Sequence, residues 1–300
     1  MLKKILNKQY QVNFVANSKK FLLVSLCLMV ASVILVMQRG LNLGIDFSGG
    51  IVIEVRFSET ISLKDLRSGL NDLQLGDIAL QDLGNPQDIM IRVGLDQQSE
   101  KEQLKKVSLI KEYLKGNFTD QIEFRRSEFV GPTVGNELIR SGFFALLFAF
   151  AAIMIYISIR FNFSYGFGAL LALLHDVTLT LGLFVLLHLE FNLTAIAAIL
   201  TIIGYSINDS VVIYDRVREN ARKYRSRKAP EIINLSINET LNRTILTALT
   251  TMVALLALVF LGGAVLKTFS VSVLFGVIIG TYSSIMIATN VISTKTNEDS

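Results

Sequence analysis

Ser141-Gly-Phe-Phe-Ala-Leu-Leu-Phe-Ala-Phe-Ala-Ala-Ile-Met-Ile-Tyr-Ile-Ser-Ile159 contains no charged residue, and neither does Ile245–Leu261. Each run is close to the ~20 residues a helix needs to cross the hydrocarbon core of a bilayer. A single run of this kind can be a buried helix of a soluble protein. Here six fall in one chain of 300 residues, at 21–38 and about 141–159, 164–188, 193–214, 245–262 and 269–290. They predict a polytopic membrane protein with a six-helix bundle. The composition agrees, with 51% hydrophobic residues against 18% charged ones. The net charge of +4 does not point to nucleic acid, because the basic residues cluster beside the apolar runs, where positive-inside bias puts them.

Those clusters also predict an orientation. Residues 1–20 carry Lys3, Lys4, Lys8, Lys19 and Lys20 ahead of the first run. That run is longer than a usual signal-peptide core and no small-x-small cleavage site follows it, so it reads as an uncleaved first span. Arg160 separates the second and third spans. A basic loop at 216–231 follows the fourth and holds Arg216, Arg218, Arg222, Lys223, Arg225, Arg227 and Lys228. On the other side, the short loops His188–Asn192 and Gly262–Thr268 carry only Lys267 as a definite cation. Both termini, including the tail 291–300, are therefore expected in the cytoplasm, with residues 39–137 outside it. The basic loop reads as a topology determinant, with recruitment of anionic lipid or a partner as the alternative. Residues 231–244 read as a short amphipathic interfacial helix feeding the fifth span. Cys27 lies within the first span and has no second cysteine to pair with.

Residues 39–137 change character and become polar. Ile51-Val-Ile-Glu-Val-Arg-Phe57 is rich in β-branched residues and predicts a strand. Ser62, with Asp65 three residues on, predicts a helix start ahead of Leu63, Leu66, Leu70 and Leu73. Strands are expected at about Asp77–Gln81 and Asp88–Val93, separated by the turn Gly84-Asn85-Pro86. A second helix is expected from Ser99, with Glu102 as its capping partner. A last strand is expected at about Asp120–Phe124, with an extension towards Phe129. The order β-α-β-β-α-β predicts an α+β, ferredoxin-like domain inserted after the first span.

Ionisable groups inside a bilayer are costly and are functional candidates by default. Asp176 lies near the middle of the third span beside His175. Asp209 lies in the fourth span, about 9 Å from the boundary marked by Asp215 and Arg216. Ser206, Asn208 and Ser210 are expected to give that helix a polar face. Gly204, four residues before Asn208, would let a neighbouring helix approach. Arg243, at the start of the fifth span, is the best available cation for Asp209. The plainer readings are a carboxylate that only hydrogen-bonds a neighbouring helix and an arginine that only anchors the membrane boundary. No phosphate-binding loop, zinc-ligand pattern or nucleophile elbow is present, so no cofactor, metal or enzymatic chemistry is expected.

Gly204-Tyr-Ser-Ile-Asn-Asp-Ser-Val-Val-Ile-Tyr-Asp-Arg-Val-Arg-Glu-Asn220 closely resembles the fourth-span signature of the SecF family of bacterial protein export. Gly44-Ile-Asp-Phe-Ser-Gly-Gly50 and Val130-Gly-Pro-Thr-Val-Gly-Asn-Glu-Leu138 resemble the segments flanking that family's periplasmic domain, and Leu174-His-Asp-Val177 resembles its third span. The resemblance implies half of a resistance-nodulation-division transmembrane domain in the inner membrane. It implies pairing with SecD and assistance to the SecYEG channel as unfolded exported polypeptides emerge, driven by the proton-motive force. It also implies a proton relay at Asp209 and Arg243; Asp176 joins them as a candidate from its place within a span. Ser210 stands where many members have Thr. The chain ends soon after its sixth span and so looks like a separate SecF and not a fused SecDF. The alternative is a subunit of a proton-driven small-molecule or lipid exporter of the same superfamily.

Overall fold

The computed structural model describes residues 12–296 except 74, 76–77, 84, 95–99 and 119–121. Helix α1 (Ser18–Arg39) leads to β1 (Gly50–Phe57), α2 (Leu63–Asn71), β2 (Ile78–Asp82), β3 (Asp88–Val93), α3 (Glu100–Asn117) and β4 (Ile122–Val130). The long helices α4 (Pro132–Arg160), α5 (Phe163–Leu186), α6 (Leu193–Lys223) and α7 (Ala229–Leu261) follow. Helix α8 (Gly263–Ser283) then passes through a π-helical turn, Ser284–Ala288, into α9 (Thr289–Thr296). The chain divides into two compact units, one of Leu43–Phe143 and one of the remainder.

In the smaller unit the strands pair antiparallel in the order β2–β3–β1–β4. Successive side chains of a strand point to opposite faces. Ile51, Ile53, Val55 and Phe57 of β1 therefore join Ile89, Ile91 and Val93 of β3 in one buried layer, closed by Leu66 and Leu70 of α2 and Ile110 and Leu114 of α3. Val52 and Met90 are buried on the opposite face with Ile45. Helix α2 starts directly after Ser62 as the sequence indicates, but the Ser62 side chain makes no capping bond. It is exposed, so water can serve the first-turn amides in its place. The expected cap at Ser99 and the turn residue Gly84 lie outside the described residues. The last strand takes the extension expected towards Phe129 and ends at Val130, because its whole length pairs with β1 across a bulge at Glu54/Val55; its expected start at Asp120 lies outside the described residues.

One ion pair gives this unit a pH dependence. The Arg56 guanidinium reaches both carboxylate oxygens of Asp88 at 2.6 Å, and Arg125 lies 3.5 Å away. The bonds from Arg56 hold the Asp88 carboxyl below the usual carboxylate range, against the opposing effect of partial burial. With the folded pKa below the unfolded value of about 3.9, the stabilisation is complete above that value and is lost as pH falls through the lower one. Arg56→Gln should therefore lower amide protection of β1 and β3 in hydrogen exchange at neutral pH, with the deficit closing in acid. A deficit that persists unchanged in acid would contradict the pairing.

Among the described residues six helices are long and apolar enough to cross a membrane, and the chain is a multi-pass membrane protein. The third, fourth and sixth of them are 56%, 50% and 56% buried, against 6%, 11% and 17% for the first, second and fifth. Helices α5, α6 and α8 are thus the centre, and α1, α4 and α7 present apolar faces outward. Small residues let the central helices close up. A Cβ added at Gly168 would lie 2.8 Å from the Ala288 carbonyl oxygen, and one at Gly280 would lie 3.1 Å from Ser206 Cβ. Because the first contact is backbone, Gly168→Val should cost about 1–3 kcal/mol. A clear fall in the thermal midpoint of the full chain in detergent is expected, and an unchanged midpoint would show that the helices yield.

Two helices are longer than the sequence suggests. Helix α6 continues to Lys223 and α7 begins at Ala229, so the basic loop expected at 216–231 shrinks to residues 224–228. No Pro or Gly interrupts Asp215–Lys223, and a helix once formed propagates cheaply. For the same reason 231–244 is not a separate interfacial helix but the first half of α7, with Ile232, Ile233, Ser236, Ile237 and Leu241 buried in the bundle. Pro230 falls in the first turn of α7, where its missing N–H costs nothing.

Candidate functional site

The three central helices are tied together by a buried polar knot. Asp176 on α5 is fully buried, and its Oδ2 accepts hydrogen bonds from Ser206 Oγ of α6 at 2.6 Å and Ser283 Oγ of α8 at 2.8 Å. Its Oδ1 lies 2.9 Å from His175 Nδ1. His175 Nε2 is buried without a partner among the described residues. A proton on Nδ1 leaves only an acceptor lone pair unmet there, whereas a proton on Nε2 would strand a donor, so the Nδ1–H tautomer donating to Asp176 is assigned. Just beyond, Ser284 Oγ donates to the Ser206 carbonyl at 3.0 Å, and Ser210 Oγ donates to Ser284 Oγ at 3.0 Å. The π-helical turn starts at Ser284. Turns of this kind are rare and gather at functional sites.

Asp209 lies on α6 between Ser206 and Ser210 and is buried as well, but it is held differently. Among the described residues its Oδ2 has no hydrogen-bond partner. Arg243, on α7, is the cation that acts on it through space, and its own side chain is largely exposed. One carboxylate of the bundle is therefore saturated with donors, and the other has a bare oxygen. An unmet buried carboxylate oxygen is expensive and calls for a reason.

The structure divides the polar residues of the fourth span. Ser206 and Ser210, four residues apart, face α5 and α8 and are buried. Asn208 is exposed, as is Gly204 four residues before it. The expected single polar face is thus two faces, since 100° per residue turns Asn208 well away from its serine neighbours. A Cβ added at Gly204 would meet nothing within 4 Å, so no described helix of this chain uses the approach it offers. Sequence reasoning missed Ser283 and Ser284. The signal was Gly280-Thr-Tyr-Ser-Ser284, a small and polar run inside an otherwise apolar span.

Comparison with known proteins bears on this arrangement. Residues 109–298 match the family described as protein export membrane protein SecD/SecF, C-terminal, and residues 34–61 match the SecD/SecF GG motif. The protein translocase subunit SecF of Rickettsia bellii is 52% identical over 274 residues, covering 91% of this chain and 90% of its own. That of Rickettsia prowazekii is 51% identical over 273 residues, covering 91% and 87%. The chain belongs to the SecD/SecF family of protein-export membrane proteins. This family consists of membrane transport components, and the chain is not an enzyme. Among solved structures, SecDF from Thermus thermophilus, described as a translocon-associated membrane protein, superposes with a TM-score of 0.85 at 33% identity. The match covers 97% of this chain and 39% of that one. SecDF in a super-membrane-facing form gives 0.71 at the same identity, covering 97% and 40%. The chain spans about two-fifths of the length of these SecDF chains.

Proposed function

We propose that this chain acts as SecF beside SecD in a bacterial inner membrane, assisting unfolded secreted polypeptides through SecYEG at the expense of the proton-motive force. Asp209 takes up and releases the proton, Arg243 supplies the opposing charge, and Asp176 is the fixed node that links the event to α5 and α8. The observation that carries this reading is the bare Oδ2 of Asp209, buried three residues along α6 from Ser206, which is bonded to Asp176. A carboxylate kept charged and unpaired in a bilayer costs a few kcal/mol, and a group that cycles between protonated and paired states avoids holding that cost.

The β-α-β-β-α-β order and the sheet order β2–β3–β1–β4 support a ferredoxin-like domain. Basic residues at the ends of α4 and α6, and Lys228 just before α7, support a periplasmic place for it, with both termini cytoplasmic. Gly204, Asn208 and Arg243, exposed in this chain, offer a face to a helix of SecD. The test is complementation. In cells depleted of their own SecF, this chain should restore export of a secreted reporter only while a proton gradient stands. Restoration that survives an uncoupler in full would remove the proton from the proposal.

A further inference from the structure

The ends of α4 and α6 enclose an open cleft of about 700 Å³ lined by Arg160, Asp215, Arg218, Glu219, Arg222 and Lys223. Its carboxylates are already answered. Asp215 pairs with Arg160 at 3.0 Å, and Glu219 pairs at 2.6 Å with Arg216, which does not line the cleft. The three remaining cations have no carboxylate in ion-pair contact among the described residues. Arg218 donates to the Arg160 carbonyl at 3.3 Å, Lys223 lies 5.1 Å from the centre of the Tyr224 ring, and Arg222 is exposed. Lys223 also acts through space on Glu239, outside the cleft, so Arg218 and Arg222 are the cations left without an opposing charge among the described residues, and a lining of four cations against two carboxylates calls for an anion.

The outer surface of α4 says which kind. Phe148, Ala152, Tyr156 and Arg160 recur every four residues, each beside the next, in a row that winds about 120° round the helix from first to last. Phe148 and Tyr156 are 68% and 57% exposed, and Ala152 is exposed too. This bare apolar strip runs along the membrane span and ends at the cleft, where the charge-free run Ser141–Ile159 gives way to Arg160. A cationic cleft continuous with a lipid-facing strip matches the two parts of a phospholipid. Basic hollows between spanning helices are a known form of headgroup site.

We propose that this cleft binds the phosphate headgroup of an anionic phospholipid, with the acyl chains lying along Tyr156, Ala152 and Phe148. Arg218, Arg222 and Lys223 hold the phosphate, and Arg160, fixed by Asp215, forms the rim. The cations of residues 224–228 lie outside the cleft, which separates a built site from general attraction of basic residues to a membrane surface.

The test uses the full chain in nanodiscs of phosphatidylcholine doped with cardiolipin or phosphatidylglycerol, with retained lipid counted by native mass spectrometry. The wild type should retain anionic lipid in preference to phosphatidylcholine. The triple variant Arg218→Gln, Arg222→Gln, Lys223→Gln should weaken retention roughly 100-fold, taking about a factor of five for each cation. The equally basic control Arg225→Gln, Arg227→Gln, Lys228→Gln should keep it. Tyr156→Ser, which leaves every charge in place, should shorten the lipid's residence. Equal losses in the two triples would reduce the effect to surface charge, and no loss in either would take the cations out of it; both results overturn the site. Glycerol phosphate binding as tightly as the lipid, with Tyr156→Ser silent, would overturn the lipid assignment in favour of a soluble phosphate.

Discussion

Replacing Asp209 by Asn should abolish the gradient-dependent part of export while leaving the chain folded in the membrane. Asn has the shape of Asp but cannot carry the proton. Because Oδ2 has no donor among the described residues, the change breaks no hydrogen bond at that oxygen. The structural cost is one unmet amide, about 1–3 kcal/mol. The functional cost is much larger, since export in the variant should fall to the level of wild-type cells whose gradient has been collapsed. Arg243→Gln should act in the same direction, because its charge is what Asp209 meets when it ionises. Thermal melting of the purified chain separates the two costs. A variant that is stable but gradient-blind supports the relay, and one that exports normally makes Asp209 a packing residue.

The largest loss of stability is expected at Asp176. Truncation to Ala strands the donors of Ser206 and His175 and leaves a hole where α5, α6 and α8 meet. Ser283 loses least, since its hydroxyl also reaches the Gly280 carbonyl at 3.1 Å. Polar contacts between spanning helices average well under 2 kcal/mol each, so the lost bonds and the cavity together should cost about 2–4 kcal/mol. The thermal midpoint of Asp176→Ala in detergent should fall well below that of Asp176→Asn, which keeps an acceptor for one serine. Equal midpoints would mean that the knot does not hold the three helices together.

These two carboxylates show where sequence reading succeeds and where it stops. Missing charge over 141–159 and 245–261 was enough to read a membrane bundle, because the cost of charge in hydrocarbon leaves a signature that neighbours cannot disguise. The β-branched run 51–57 and the leucine stripe of 63–73 likewise exposed the strand and helix that pack together. Helix ends were harder to read. Nothing in Asp215–Lys223 or 231–244 breaks a helix, yet both are polar enough to look like loop or interface, and the helix simply propagates through them. The knot was half visible. Asp176 and Ser206 announce themselves, but their joining depends on Ser283 and Ser284, which lie over 100 and over 70 residues further along the chain. A serine in a span usually bonds its own helix, and no local pattern says when it reaches across. For Asn208, helical geometry already in hand would have separated it from Ser206 and Ser210.

The measurement that bears most directly on the relay is infrared difference spectroscopy of the chain reconstituted with SecD, recorded across a pH jump on one side of the membrane. The expected result is a carboxylic-acid C=O band that appears on acidification, vanishes in Asp209→Asn and survives in Asp176→Asn. A band that survives in Asp209→Asn would place the proton elsewhere and contradict the assignment of Asp209 as the group that carries it.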